Sequence, residues 1–234
     1  KAYSDGGFDQ GWRDRDKKYA YAGFNQKSRW FWVNTDVVKE GEIKLVQDLL
    51  NPKWKGKILG GDPRVYGGGW YPATIMRLGL GDDIMKKLWK DQEVVLGRDT
   101  RQLTELMVRG NYPIGIGAPN EVTLQEFTDK GLGKNLKHIE LDHCENLYAS
   151  SNVVMFFNRA PHPSAAKLFV NWVLSKQGST IWSKTVETNS RRADVPPFAP
   201  NNLPTPGKKY IQMDDERYLE EGSKTIELAK QLLT

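Results

Sequence analysis

Arg98 and Arg101 flank an Asp-Thr pair in "VVLGRDTRQLTELMVRGNYPIGIG", the segment from Val94 to Gly117. Arginine is always charged, and its planar fork matches a carboxylate or a phosphate with two parallel hydrogen bonds. Both arginines stand at the start of a helical pattern, where the dipole is already positive. A cation there is unfavourable by a few tenths to about 1 kcal/mol unless something negative sits beside it. That partner is either a neighbouring acid, with Asp99 and Glu105 at hand in the sequence, or a bound carboxylate or phosphate. Arg101, inside the first helical turn, is the better placed of the two for a ligand, and Asp99 and Thr100 are N-cap types that share its turn.

Four more turns hold candidate chemistry. "GGDPRVYGGGWYP", from Gly60 to Pro72, offers glycines for close backbone approach, Gly68 at their centre, before a helix start that favours anions. Tyr66 and Trp70 would be its walls and Arg64 its charge partner; the plainer alternative is a turn capped by Asp62. It lacks the Gly-Lys-Ser/Thr ending of a phosphate loop. In "GIGAPNEV", Asn120 and Glu121 either hydrogen-bond a ligand or cap a helix. In "DHCENLYASSN", His143, Cys144 and Glu145 are consecutive, and an extended chain turns neighbours to opposite faces, so they do not share one ion. Tyr148, Ser150, Ser151 and Asn152 are the wall candidates there. "TNSRRADVPP" pairs Arg191 with Arg192, available to a ligand or to surface ion pairs.

The elements that position these turns alternate. "RWFWVNTDVV", "KIL", "EVVLG", "YPIGIG" and "LKHIEL" read as strands. "WYPATIMRLG", "DDIMKKLWKDQ", the Leu103-Leu106-Met107 stripe and "EVTLQEFTDKG" read as helices, with a short helix from Ile43 to Leu50. The longest helical pattern is "HPSAAKLFVNWVLSKQGSTIWSKTV", with Ala166, Phe169, Val170, Val173 and Leu174 as its apolar face. A five-proline connector follows, then an amphipathic C-terminal helix. Strand-helix alternation predicts an α/β fold with a parallel-rich sheet, whose ligands bind beyond the carboxyl ends of the strands.

The totals remove several function classes. The 234 residues carry a net charge of +5, but basic and acidic residues alternate, so no nucleic-acid partner is expected. One cysteine, Cys144, excludes an internal disulfide and a cysteine-rich metal site. No apolar run approaches the roughly 20 residues of a membrane helix. Neither a Gly-x-Ser-x-Gly elbow nor a His-Glu-x-x-His motif is present, so no enzyme and no cofactor is expected. The chain opens on "KAYSDGGFDQGW" without an initiator Met or a signal peptide, and a preceding segment is expected.

"NTDVVKEGEIK", "DLLNPKWKGKI", "DPRVYGGG", "RGNYPIGIG", "FFNRAPHPSAAKLFVNWVLSKQG" and "SRRADVP" together resemble the bacterial extracellular solute-binding proteins of the ferric-ion-binding type, the capture components of ABC importers. The resemblance runs from Trp30 to Pro196. It implies a class II periplasmic binding protein fold: two α/β lobes, hinge strands and a ligand cleft. On that basis 1–29 and 147–190 belong to lobe 1, incomplete in this chain, and 30–146 and 191–234 to lobe 2. A missing N-terminal segment, as a separate chain, then becomes an expected partner beside the solute and the membrane permease subunits. The implied location is periplasmic or extracellular, with a lipoprotein tether in a Gram-positive cell. Ferric members use adjacent tyrosines after the strand matching "YPIGIG"; Pro119, Asn120 and Glu121 stand there, so no metal is expected. The resemblance aligns Tyr66, Gly68, Trp70, Asp99, Thr100, Arg101, Asn120, Glu121, Tyr148, Ser150, Ser151, Ser190 and Arg191 with the family cleft, Arg29 falls near a position that faces it, and Arg64 joins the candidate set from its turn. Arginines outnumber acids in that set, which points to an organic anion, a carboxylate or a phosphonate or phosphate. The alternatives are Fe(III) with a synergistic anion, or a sensor or enzyme on the same scaffold.

Overall fold

The run Phe31–Asn34 (β3) is buried along its whole length and stands second from one edge of a five-stranded sheet. The computed structural model describes residues 3, 7–142, 147 and 148 (backbone), 153–205, 208 and 210–233. The chain divides into two compact units. Unit 1 is Lys1–Ser28 with Asn146–Leu219, and unit 2 is Arg29–Glu145 with Glu220–Thr234.

Unit 2 is built on that sheet. Its other strands are Ile58–Gly61 (β4), Val95–Gly97 (β5), Ile114–Ile116 (β6) and Leu136–Ile139 (β7), in spatial order β5-β4-β6-β3-β7. β4 runs parallel to β5 and β6, while β3 is antiparallel to β6 and β7. The sheet is therefore mixed, with a parallel triplet rather than the parallel-rich run expected. β3, β4 and β6 are wholly buried because helices cover both faces. Leu59 packs with Trp32, Leu103, Met107, Leu124 and Leu136 beneath Thr100–Val108 (α2) and Glu121–Thr128 (α3). Gly60 points the opposite way, where an added Cβ would meet Trp89 at 2.7 Å. Trp89 belongs to a π-helical turn, Met85–Lys90, where the sequence predicts an ordinary helix. Trp70–Leu80 (α1) lies against the C-terminal helix Leu219–Leu232 (α6), with the Trp70 indole donating to the Gly222 carbonyl at 2.9 Å.

Unit 1 holds shorter strands. Ala20–Ala22 (β1) pairs antiparallel with Val153–Met155 (β9), and Phe24–Lys27 (β2) lies between Asn189–Ser190 (β10) and Leu147–Tyr148 (β8). The long helical pattern is broken into Pro163–Val173 (α4) and Lys176–Thr185 (α5). Ser175 adopts extended backbone and its hydroxyl accepts from the Gly178 amide at 3.1 Å, which starts a new helix. Of the expected apolar face only Val173 is buried; Phe169 is 49% exposed. Residues 191–219, expected in lobe 2, cluster with unit 1. Three ties hold them there: β10 on β2, the Arg191 amide on Gly23, and two 2.8 Å bonds between the Asn189 side chain and the Ala199 backbone.

Candidate ligand-binding site

The turns after β4, β5 and β6 emerge side by side, because the three strands are parallel neighbours. Asp62 is the first residue past β4, and its side chain is only 3% exposed. An isolated carboxylate would not stay ionised at such burial. Here two guanidiniums hold it. Arg64 donates through Nε (2.8 Å) and Nη2 (3.1 Å) and adds its backbone amide at 3.0 Å. Arg98, just past β5, donates through Nε to Oδ2 at 2.8 Å. Burial pushes the Asp62 carboxyl up, but these bonds outweigh it and bring it down to about 2. One negative charge thus faces two positive ones.

The two arginines differ in what remains. Arg64 Nη1 donates to the Leu233 carbonyl at 2.7 Å, so its fork is consumed inside the protein. Arg98 is 66% exposed, and its terminal Nη groups meet no hydrogen-bond partner among the described residues. Its anchored Nε fixes the fork beyond the strand ends.

The glycines serve the chain itself. An added Cβ at Gly69 would lie 2.0 Å from the Gly61 carbonyl oxygen, and one at Gly117 would lie 2.0 Å from that of Gly68. The Gly67–Gly69 loop therefore crosses the ends of β4 and β6 backbone against backbone. Gly68 gives its space to Gly117, not to a ligand.

The other predicted residues separate into groups. Trp70 is a core residue, 9% exposed, with its indole N–H engaged by α6, while Tyr66 is 68% exposed with its ring 4.8 Å from that of Trp70. Asp99 caps α2, accepting from the amides of Arg101 (2.8 Å) and Gln102 (3.1 Å), and the Thr100 carbonyl accepts from the Thr104 hydroxyl. Arg101 pairs with Glu126 at 3.0 Å and approaches Glu105 at 3.6 Å, so its negative partners are neighbouring acids. Asn120 caps α3 through the Thr123 amide, and Glu121 pairs with Arg29 at 3.0 Å. Arg191 is buried in unit 1, 1% exposed, donating to the carbonyls of Ala22 (3.2 Å) and Gly7 (3.1 Å). It is a core cation, held there because β10 carries it across from Gly23. The side chain of Tyr148, and Ser150, Ser151 and the His143-Cys144-Glu145 run, lie outside the described residues. Among the described residues no three His, Cys, Asp or Glu side chains cluster as for a metal ion, and no helix is long and apolar enough to cross a membrane.

The sequence offers Asp62 as a turn cap, and in the structure it also pairs with Arg64 and Arg98. Its signal is the position of an acid immediately after a buried apolar strand that ends in two glycines.

A mixed α/β sheet with turns gathered at the strand ends is the architecture of periplasmic binding proteins. Iron-bound HitA from Pseudomonas aeruginosa superposes with a TM-score of 0.65 at 15% identity, over 94% of this chain and 71% of its own. The periplasmic binding protein AfuA from Actinobacillus pleuropneumoniae, with fructose-6-phosphate bound, gives 0.61 at 22% identity, over 89% of this chain and 66% of its own. Residues 1–180 match the family model of the bacterial extracellular solute-binding proteins, and the chain belongs to that family. An uncharacterized protein of Haemophilus influenzae (strain ATCC 51907 / DSM 11121 / KW20 / Rd) is 29% identical over 203 residues, 80% of this chain. The match spans 55% of that relative's length.

Proposed function

We propose that this chain is the solute-capturing part of an ABC importer, acting in the periplasm or outside the cell, and that its solute is a small organic anion. Family membership supports the class of activity. The observation that carries the ligand class is the Asp62–Arg64–Arg98 cluster: two guanidiniums on one buried carboxylate, with the Arg98 fork open. A carboxylate or phosphoryl oxygen pair on the Arg98 Nη groups completes the charge balance that Asp62 leaves unfinished. AfuA, with its sugar phosphate, is a relative in fold whose ligand has that chemistry. The permease subunits are the proposed partner for the loaded form. Hydrolysis of the solute plays no part in this role.

A thermal-shift panel on the full chain tests the ligand class, with carboxylates, phosphonates, sugar phosphates, polyamines, neutral sugars and ferric salt. A ligand at a hundred times its Kd stabilises by about 2.7 kcal/mol, several degrees in Tm. Shifts confined to the anions, and smaller in Arg98→Ala, are the expected result. Shifts with ferric salt alone or amines alone overturn it.

A further inference from the structure

In unit 1, the turn from Asp9 to Lys17 and the segment from Tyr210 to Tyr218 line an open cavity of about 380 Å³. Arg13 lines it, although only 4% of that residue is exposed. Nε donates to Asp214 at 3.1 Å, and Nη1 donates to the carbonyls of Gln10 (2.9 Å) and Trp12 (3.2 Å). Nη2 is the arm of the fork with no partner among the described residues. A buried guanidinium with two of its three nitrogens fixed presents the third with little freedom left to lose on binding.

Four cations line the cavity, Arg13, Arg15, Lys17 and Arg217, against three acids, Asp9, Asp14 and Asp215, with Asp214 paired to Arg13. Arg15 and Lys17 also line the cavity, and neither side chain forms an ion pair among the described residues. The oxygens of the acids are mostly engaged in hydrogen bonds, and among the described residues only Asp215 is paired with a lining cation other than Arg13. Asp14 accepts from the amides of Lys18 (2.9 Å), Tyr19 (3.2 Å) and Ala20 (3.0 Å). Asp215 is taken by Arg217 through two 2.9 Å bonds, and Glu216 accepts from the Arg15 amide at 2.7 Å. Asp9 is the lining acid left over. The remaining polar lining both donates and accepts. Gln10 and Gln212 carry amides, and the Tyr210 oxygen accepts from the Thr205 amide at 2.8 Å, which leaves its proton to give. Alcohol groups need that combination, and Trp12 adds an aromatic side chain to the lining.

We infer that this cavity binds a small hydroxylated anion, a sugar acid or a sugar phosphate. The anionic group sits on Arg13 Nη2, Arg15 and Lys17, and the hydroxyls on the amides and Tyr210. The site lies wholly in unit 1 and does not depend on the reading of the Arg98 cluster in unit 2.

Isothermal titration of the full chain with glucose 6-phosphate and with gluconate tests it, against glucose and inorganic phosphate. The exposed pair Arg15→Ala/Lys17→Ala is compared with Arg98→Ala, each checked for wild-type circular dichroism. The expected result is that at least one anionic sugar binds ten times tighter than glucose or inorganic phosphate. The double variant weakens it tenfold or more, and Arg98→Ala leaves one binding event of unchanged affinity. Binding of one anionic sugar and not the other assigns the anion. The proposal is overturned if neither binds, if glucose or inorganic phosphate binds as well, if the double variant is without effect, or if Arg98→Ala alone removes all binding.

Discussion

Arg98 reaches Asp62 across 36 positions of sequence, with Nε 2.8 Å from Oδ2, and joins the turn after β5 to the turn after β4 through one carboxylate. Arg64 holds the other oxygen at 2.8 Å. The backbone repeats the link, since the Asp62 amide donates to the Gly97 carbonyl at 2.9 Å. The two turns therefore behave as one rigid edge, with the carboxylate buried and one guanidinium fork turned outward.

Asp62 makes stability depend on pH in a defined direction. Its folded pKa, about 2, lies below the ordinary 3.8. A depressed acid contributes stability that is complete above its unfolded pKa and is lost as pH falls through the folded value. The window is therefore pH 4 down to 2, and the contribution is about 2 kcal/mol. Asp62→Asn removes that contribution and should cost about 2 kcal/mol at pH 7. Urea unfolding at pH 7, 4 and 2.5 should show the gap between wild type and variant narrowing as the pH falls. A gap independent of pH removes the carboxylate from the explanation.

Arg98 and Arg101 should separate in binding. Arg98→Ala removes the open fork and is expected to weaken the anion selected by the ligand panel at least tenfold, with less than about 1 kcal/mol lost in stability. Arg101→Ala removes ion pairs to Glu105 and Glu126 on the helix surface and should leave affinity unchanged. Paired titrations on the two variants decide this. Equal losses would mean that both arginines work through the general field of the surface.

The sequence makes the alternation legible, and with it the place of the candidate turns. Apolar strands followed by capped helices put the candidate turns at the carboxyl ends of β4, β5 and β6, where the structure has them. What a turn residue does there is not legible in the same way. Arg98 and Arg101 are three apart in a helix start, and only tertiary placement gives one of them Asp62 and the other Glu126. Trp70 and Arg191 look like site residues because aromatic and guanidinium groups serve binding and packing equally well. Trp70 meets Gly222 and Arg191 meets Gly7, contacts that span 152 and 184 positions. The glycines of the 60–69 loop carried the same ambiguity, since a bare Cα admits either a ligand or another stretch of backbone.

Gly222 is required by the packing of α6 on α1. An added Cβ would stand 2.2 Å from Trp70 Cζ2, and the indole has no room to retreat because its N–H is held by the Gly222 carbonyl. Gly222→Ala gains helix propensity of about 1 kcal/mol at most, and overpacking costs about 1–3 kcal/mol. The net expectation is destabilisation of about 1–2 kcal/mol with a red-shifted Trp emission as the indole is displaced. Unchanged or increased Tm in a thermal melt would show that α6 slides freely on α1.

The break between α4 and α5 is a built corner and not a frayed helix. The Ser175 hydroxyl accepts from the Gly178 amide, and an added Cβ at Gly178 would lie 1.9 Å from the Trp172 carbonyl oxygen. The chain turns back so closely on the end of α4 that only glycine fits the first turn of α5. Ser175→Ala forfeits the cap and should cost about 1 kcal/mol. Gly178→Ala should cost more, because backbone and not a flexible side chain stands in the way. Ser175→Asp keeps an acceptor at the cap and places a negative charge at the helix start, and it should restore the wild-type melting temperature. If all three variants melt together with wild type, the corner is set by the contacts of the two helices elsewhere and the cap is incidental.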